Sequence, residues 1–429
     1  MKRTITIPYS CIAITAILFV FSEITLSGQS ALKAGAAKVD ITPQSIKGFH
    51  NVWGTEYTGV HDNVYLRCLL LENESQKTAI ITLDLGGVPF GLEILGDISK
   101  RIGIPENNII ICGTHVHDAP IDFRGDTEQA RSWKASIKES LFKALDLAKG
   151  RMQPAKLGVG SGEAYLNINR DEYTVDGWKL GNNPGGPSDK TVRVLQVTTL
   201  DDKPIAVFVN YAVHAVVLGP KNDQATADLP GATSTYIERE LGNEVVALWT
   251  SGAAGDQNPV YMGWDTTYGK DINKDGFKIL EALGVVLGEE VLRVCKNMDS
   301  FSEKVTIHGM KKVVECPRKE LTPEQAARYT TPPSNIVKIK LDLLLINEIA
   351  LTGVSGEIET PIYMHLLEKT PLKNTIMITH TPEGVGYVCA DANYDRATHQ
   401  VRATPVIRGY AENGIVDNLV NMINEGLKK

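Results

Sequence analysis

The chemistry that this sequence can carry begins with two histidines two residues apart, His115 and His117, in the stretch GTHVHDAP. The stretch follows the apolar run IIIC at 109–112, which is typical of a buried strand. Side chains two apart on a strand share a face, so we expect both imidazoles to point the same way. One histidine can then bind a metal ion while the other transfers protons beside it. Two polar residues at a strand end would give the same pattern, so the pair needs partners elsewhere in the chain.

A third histidine and a glutamate occupy positions from which they can complete a site. His214 lies within FVNYAVHAVVLG, a run that is apolar on both faces and is therefore expected to be buried. A buried imidazole must satisfy both nitrogens, either with a metal ion and a hydrogen bond or with backbone groups alone. Glu357 follows the apolar run IALTGV, at a strand end where α/β sheets collect ligand groups, although it can also cap the helix that Pro361 begins. Two histidines and a glutamate are ligands that zinc accepts while a position stays open for water.

Two further stretches can place polar groups beside such a site. SGAAGDQNP, Ser251–Pro259, has small residues whose N–H groups can approach an anion or oxyanion, although a tight structural turn explains the glycines equally well. EGVGYVCAD places Tyr387 in a loop-rich setting after a strand. The sequence contains no GxSxG, Walker A, HExxH or strand-to-helix GxGxxG motif, which excludes several common enzyme classes.

The elements that must position these residues alternate between strands and helices. This alternation predicts an α/β protein with mixed β-sheets flanked by helices. The predicted strands are Thr78–Leu83, Asn108–Cys112, Thr191–Thr198, Ile205–Val217, Glu244–Trp249, Ile336–Leu345, Ile349–Val354 and Thr375–Thr379. The predicted helices are Gly91–Ile102, Glu128–Ala148, Ala232–Leu241, Gly276–Lys296 and Pro405–Leu427.

Two stretches rich in Gly, Pro and Asn, Asp176–Lys190 and Tyr261–Lys274, are predicted to be loops. Their aromatic residues can cover a pocket, or the loops can be solvated surface segments. A polar stretch with several prolines suggests a boundary between sub-lobes near 298–331.

The composition is that of a globular protein, with 43% hydrophobic and 22% charged residues and a net charge of -7. A mildly acidic chain is not expected to bind nucleic acid. Lys2 and Arg3 precede an apolar run at 11–21 and then small residues, which predicts a secretory signal peptide over residues 1–30 rather than a membrane span. We therefore expect export to the periplasm or the extracellular space, and a single enzyme domain over residues 31–429.

Five cysteines lie beyond the predicted signal peptide and contain no CxxC pair; they are Cys68, Cys112, Cys295, Cys316 and Cys389. Cys112 and Cys389 lie in apolar contexts and are expected to be buried thiols. The spacing leaves one disulfide open without selecting a pair.

In order along the chain, these segments resemble the catalytic domain of the neutral/alkaline (non-lysosomal) ceramidase family. The resemblance rests on AGAAKVDITP, GVHDNVYLRCLLLEN, GTHVHDAP, NINRDEY, NYAVHAVVLG, TADLPG, GAAGDQNP, GVSGE and GVGYV. It implies a catalytic zinc ion bound by His115, His214, Glu357 and Tyr387. It also implies that His117 and Arg170 lie beside the metal and contact the scissile carbonyl or its oxyanion.

The sequence departs from the family pattern at several positions. Asn258 stands in GDQNP where family members have the serine of GDxSP, and an amide cannot act as a nucleophile or proton shuttle. The family's HSGPGG is HDAPID here, Glu357 follows Ser-Gly instead of Pro-Gly, and His399 stands where tyrosine is common. We expect the resemblance not to extend to the family's C-terminal immunoglobulin-like domain.

The predicted function is that of an exported zinc hydrolase that cleaves an N-acyl amide with metal-activated water. We expect Arg170 and Tyr387 to stabilise the oxyanion, His117 to protonate the leaving group, and Asn258 to donate a hydrogen bond. The expected partner is a small or lipid-like N-acyl substrate, with peripheral contact at a membrane surface. One alternative is a metal-dependent hydrolase of carbohydrate, cell-wall or ester substrates, with a pocket lined by Trp53, His61, Asp62 and Trp264. Another alternative is a non-catalytic binding protein that uses the metal for stability.

Overall fold

The computed structural model describes residues 30–265, 270–271, 275–320 and 333–428. Almost all of the predicted signal peptide, part of the loop at 261–274 and part of the suggested boundary at 298–331 lie outside the described residues. The α-helices are α1 (Glu93–Ile102), α2 (Glu128–Gly150), α3 (Asp228–Leu241), α4 (Gly276–Lys296), α5 (Thr360–Lys369), α6 (His399–Ala403) and α7 (Ala411–Gly426).

The longer strands build three sheets. They are β1 (Lys33–Asp40), β2 (Tyr65–Glu72), β3 (Lys77–Leu83), β4 (Ile109–Gly113), β5 (Gln153–Glu163), β6 (Asn167–Thr174), β7 (Gly177–Asn183), β8 (Thr191–Thr199), β9 (Pro204–Tyr211), β10 (Val246–Ser251), β11 (Ile307–Pro317), β12 (Ile336–Ile346), β13 (Ile349–Val354) and β14 (Asn374–Ile378). The short strands are Ser30–Ala31, Gly59–Val60, Gln224–Ala225, Gln257–Pro259, Trp264–Asp265, Lys270–Asp271, Phe301–Ser302, Lys304–Val305, Glu357–Ile358 and Tyr387–Val388.

The largest sheet has the strand order β10-β9-β8-β5-β1-β2-β3-β4, with Phe301–Ser302 paired to β5. A second sheet has the order β11-β12-β13-β14, and a third joins Gln257–Pro259 to the hairpin β6-β7. Most neighbouring strands are antiparallel, but the pairs β3-β4, β9-β10 and β13-β14 are parallel. The sheets are therefore mixed and are accompanied by helices, as the sequence predicts.

The two larger sheets pack face to face, and helices cover their outer faces. One core lies between the sheets and includes Leu69 and Ile80 from the first sheet and Leu351 and Ile376 from the second. The outer face of the first sheet packs against α1 and α2 in one core and against α3 and α4 in another. The outer face of the second sheet packs against α5 and α7. Each sheet thus has two buried faces, which explains the nearly continuous apolar runs of its strands.

The parallel strand pairs bring several chain segments to one edge of the structure. The carboxyl ends of β3, β4, β9, β10, β13 and β14 are followed by the loops that hold the candidate site residues. Backbone hydrogen bonds join these loops across the two sheets, from Gly113 N to His380 O at 3.1 Å and from Thr379 N to Ser251 O at 3.0 Å. Ligand groups of α/β proteins collect at such strand ends because the loops there converge on one crevice.

Several predicted elements have different bounds in the structure. The strand predicted for Ile205–Val217 ends at Tyr211, because the chain turns into an irregular segment that places His214 beside the next loop. The first part of the loop predicted at Asp176–Lys190 is instead the strand β7, paired with β6. The helix predicted from Pro405 begins at Ala411. The Gly and Asn residues of β7 predicted a loop, but pairing with β6 overrides their local preference for turns.

The cysteines Cys68, Cys112, Cys295, Cys316 and Cys389 are all buried free thiols. Within the described ranges, the helices are too short or too polar to cross a membrane.

Gly113 is required where β4 meets the loop after β3. A Cβ atom at Gly113 would lie 2.6 Å from the Cα of Gly87 and 2.8 Å from its nitrogen, so backbone atoms would have to move. We expect Gly113→Ala to lower the free energy of unfolding by about 1–3 kcal/mol, measured by urea denaturation. The control is Gly150→Ala in α2, where a Cβ meets nothing within 4 Å. This control should be neutral or stabilising by up to about 1 kcal/mol. Equal stability of the two variants would contradict the close approach at Gly113.

Candidate metal and catalytic site

The two histidines of GTHVHDAP lie after a strand and not within it. Strand β4 ends at Gly113, and His115 adopts a left-handed backbone conformation with φ of 65°. The prediction that strand geometry places both side chains on one face is therefore wrong. The sharp turn nevertheless brings the two rings together, with the Nε2 atoms of His115 and His117 3.3 Å apart. A non-glycine residue with positive φ is strained, and such strain is concentrated at functional sites.

His214 reaches the same place from the loop after β9. Its backbone N–H donates to Gln257 O, and its Nδ1 faces Ala254 O at 2.7 Å and Gln257 O at 3.2 Å. Both groups that face Nδ1 are acceptors, so Nδ1 carries the hydrogen. Burial, together with the nearby Arg170 charge, lowers the pKa of His214 to about 3, so the ring is neutral at pH 7. Its Nε2 therefore presents a lone pair.

Glu357 and Tyr387 are held side by side by a short parallel ladder. Glu357–Ile358 pairs with Tyr387–Val388, and Glu357 and Tyr387 are direct register partners. The N-cap residue of α5 is Glu359, so capping is not the role of Glu357 in the structure. The carboxylate Oε2 of Glu357 lies 3.4 Å from His115 Nε2 and 3.3 Å from His214 Nε2.

The nitrogen and oxygen atoms that face one another in this group are arranged as ligands of a metal ion and not as hydrogen-bond partners. Among the residues that the structure describes, neither His214 Nε2 nor Glu357 Oε2 has a hydrogen-bond partner, although both atoms are buried. A lone pair that faces a carboxylate oxygen at 3.3 Å is repulsive unless a cation lies between them. Tetrahedral zinc with bonds of about 2.0–2.1 Å holds its ligand atoms about 3.3 Å apart, which matches the separations found here.

The three imidazoles are also close enough together to bind one metal ion. The ligand atoms of His115, His117 and His214 all lie within 4.8 Å of one another. The carbonyl oxygens behind the Nδ1 atoms of His115 and His214 are the kind of outer partner that orients a metal-bound histidine. His117 lacks such a partner, because its buried Nδ1 makes no hydrogen bond.

Arg170 and Tyr387 form a polar wall next to this group. Arg170, on β6, is 4% exposed, and its Nη2 donates to Gly255 O at 2.6 Å and lies 3.1 Å from the Tyr387 hydroxyl. Its Nη1 is 3.4 Å from Oδ1 of Asn258, which is also buried. Burial and the nearby Glu357 charge raise the pKa of Tyr387, so its hydroxyl keeps its proton at pH 7 and can donate a hydrogen bond. Asn258 is linked to the site through this contact with Arg170.

Sequence reasoning missed a fourth histidine. The His380 ring stacks on His115 with 3.8 Å between ring centres, and its backbone has φ of 60°. His380 directly follows the predicted strand Thr375–Thr379, so its position at the end of a predicted strand was a usable signal. Burial and the neighbouring His115 lower its pKa well below the usual value. His399 lies on the opposite side, with its ring 5.4 Å from that of Tyr387.

The aromatic and acidic residues of the carbohydrate alternative have different contact partners. The Trp53 ring is 5.4 Å from His117 and 5.5 Å from Trp264, so the two tryptophans form one edge of the site. His61 instead stacks on Phe277, and Asp62 accepts hydrogen bonds from Thr226 Oγ1 and Ala227 N. His61 and Asp62 therefore have structural partners of their own.

A cavity of about 710 Å³ opens beside Glu357 and His380. A smaller hollow of about 70 Å³ lies against His115, His117 and Glu357. The structure thus combines a layered α/β fold with a compact group of buried histidines, a glutamate and an arginine at the end of an open cavity.

Comparison with known proteins identifies the family. Residues 32–274 match the family described as neutral/alkaline non-lysosomal ceramidase, N-terminal. The chain belongs to this family, as its motifs suggest.

The relatives are distant and longer. The chain is 27% identical over 286 residues to the neutral ceramidase of Drosophila pseudoobscura pseudoobscura, covering 58% of this chain and 40% of that protein. It is 22% identical over 273 residues to the neutral ceramidase of Pseudomonas aeruginosa, again covering 58% of this chain and 40% of the relative. The match thus spans less than half the length of these curated relatives.

Solved structures show the same fold. The crystal structure of the Pseudomonas aeruginosa neutral ceramidase superposes with a TM-score of 0.72 at 14% identity, covering 92% of this chain and 75% of that one. A ceramidase complexed with C2 superposes with a TM-score of 0.70, also at 14% identity, covering 92% of this chain and 76% of that one.

Proposed function

We propose that this protein is an exported zinc-dependent hydrolase that cleaves the amide bond of an N-acyl substrate. Family membership supports amide hydrolysis. The observation that carries the zinc assignment is the buried lone pair of His214 Nε2, which faces the Glu357 carboxylate at 3.3 Å without a hydrogen bond. His115, His214, Glu357 and Tyr387 are the proposed ligands. Zinc supplies Lewis acidity and makes water nucleophilic at neutral pH.

The polar wall provides the means to stabilise the charge that develops on the acyl oxygen. Arg170 is buried and held by the Gly255 carbonyl, so little reorganisation is needed when an oxyanion forms near it. The Tyr387 hydroxyl, 3.1 Å from Arg170 Nη2, can serve as a second donor on the same side. Asn258 maintains the Arg170 position through its contact with Nη1.

His117 is the proposed proton carrier. In amide hydrolysis the C–N bond breaks as a C–O bond forms, and a proton must move from water to the leaving nitrogen. The pKa of His117 lies well below its usual value because of burial and the neighbouring histidines, so the ring is neutral at pH 7 and a proton that it receives in the reaction passes readily to the leaving nitrogen. The absence of an outer partner on Nδ1 distinguishes His117 from the two histidines assigned as ligands.

A substrate series with and without metal tests the function. The full chain is assayed on N-acyl lipids, including ceramide, on N-acyl amino acids and on N-acetylated sugars, with release of the amine as the measurement. We expect at least one N-acyl compound to be cleaved, and we expect a chelator to abolish cleavage and zinc to restore it. Activity that persists in metal-free protein would contradict the proposal, and intact substrates throughout would favour a binding protein.

A further inference from the structure

Arg124 connects the candidate metal group with the open cavity. Its side chain lines the 70 Å³ hollow together with His115, His117 and Glu357. It also lines the 710 Å³ cavity together with Glu357 and His380. A substrate that places its scissile amide at the histidines and extends into the cavity must therefore pass Arg124.

The cations on the cavity wall differ in whether a carboxylate pairs with them. Arg131 is paired with Asp126 at 2.8 Å, and Glu383 is paired with Lys340 at 3.4 Å. Arg124 and Lys134 also line the wall, and neither makes an ion pair within the part of the chain that the structure describes. The wall carries as many carboxylates as cations, but Arg124 and Lys134 have no carboxylate at ion-pair distance among the described residues. These two cations can therefore meet an anionic group that enters the cavity.

The turn that carries Arg124 is well anchored. Asp122 accepts hydrogen bonds from His50 N at 2.7 Å and lies 3.1 Å from His50 Nδ1. Phe123 is buried, and the Arg124 guanidinium lies 5.6 Å from the centre of its ring. Gly125 N donates to Asp122 O and closes the turn. The base of the Arg124 side chain is thus held in place, which lowers the entropic cost of binding a ligand there.

This turn lies in the segment that departs from the family pattern. HDAPID replaces HSGPGG, and Arg124 lies two residues after it, with Arg131 and Lys134 further on in α2. Apolar lining is provided mainly by Val88, Pro89, Phe90 and Phe123. An uncharged substrate such as ceramide would make no use of the charges of Arg124 and Lys134, which are exposed to solvent.

We infer that the substrate is an N-acyl compound with an anionic group, which Arg124 binds with support from Lys134. This inference rests on the proposed amide hydrolysis. It makes Arg124 a specificity-determining residue. A guanidinium forms charge-assisted hydrogen bonds with carboxylate and phosphate alike, so the structure defines the charge and not the anion.

The test compares N-octanoylglycine with its uncharged methyl ester and with the phosphate ester of N-octanoylethanolamine. For the zinc-loaded full chain we expect kcat/KM to be about tenfold or more higher for an anionic compound than for the methyl ester. The preferred anion then separates carboxylate from phosphate recognition. In 1 M salt the preference should shrink, because the contact is solvent-exposed.

Variants of Arg124 test whether this residue causes the preference for anionic compounds. Arg124→Gln should raise KM for the anionic compound about tenfold, with kcat and the methyl ester nearly unaffected, and Arg124→Lys should restore part of the loss. Lys143→Gln, on the same helix as Lys134 but away from this cavity, is the charge-matched control and should change nothing. An equal effect of Arg124→Gln on charged and uncharged compounds, or no preference in the wild type, would overturn the inference.

A binding measurement distinguishes failure of this inference from failure of the proposed function. If the wild type cleaves none of the three compounds, the proposed hydrolysis fails for this substrate class. Calorimetric titration of the metal-free protein with N-octanoylglycine and its methyl ester then decides the inference alone. Tighter binding of the carboxylate that Arg124→Gln abolishes supports it, and equal affinities overturn it.

Discussion

Replacing His214 with alanine is expected to remove zinc from the protein and to lower amide hydrolysis by at least about 10³-fold, because the lost metal supplies several kcal/mol of stabilisation to the transition state. His214 is buried, its Nδ1 is held by Ala254 O, and its Nε2 faces Glu357. The variant removes one ligand and leaves the Glu357 carboxylate without its counter-charge. The zinc-to-protein ratio, measured by elemental mass spectrometry, is the primary readout.

Stability provides an independent readout of the same change. A metal that binds only the folded state raises the melting temperature, so a chelator should lower it in the wild type. The same chelator should have little effect on His214→Ala. The control is His365→Ala, which removes a half-buried histidine whose Nδ1 pairs with Glu412 on α7 and not with a proposed ligand. This control should keep its zinc, and full zinc occupancy in His214→Ala would refute the ligand assignment.

Replacing His117 with glutamine is expected to leave zinc bound and to lower kcat by about 10²–10⁴-fold, with KM little changed. The expected loss follows from the role of His117 in moving a proton to the leaving nitrogen. Glutamine retains hydrogen-bonding capacity and similar size but cannot carry a proton at neutral pH. Metal content and kinetics are measured on the same preparation.

Substrates with different leaving groups show whether His117 acts as a proton carrier or as a metal ligand. An N-acyl p-nitroanilide has a leaving group that needs less protonation than an alkyl amine. The deficit of His117→Gln should therefore be much smaller on the anilide than on the alkyl amide, because only the alkyl amine depends on the proton. If His117→Gln loses zinc as His214→Ala does, His117 is a metal ligand and the proton role is wrong.

Most of the regular elements, and the residues proposed as ligands, could be predicted from the sequence. The helix predicted at Gly276–Lys296 has these bounds in the structure, and the strand predicted at Ile349–Val354 does as well. Such elements are predictable because the period of apolar residues reports directly which side chains are buried. The motifs that contain His115, His214, Glu357 and Tyr387 were also sufficient to indicate the family.

How these residues meet could not be predicted without the three-dimensional structure. His115 reaches its neighbours through a left-handed turn, and not along a strand, and His380 joins it from a segment far along the chain. The unpaired charge of Arg124 is equally invisible in the sequence, because it depends on which carboxylates Arg131 and Lys340 neutralise in space. The physical reason is common to all three cases. Local periodicity defines the elements, but packing between the two sheets determines which strand ends, and hence which side chains, converge on one crevice.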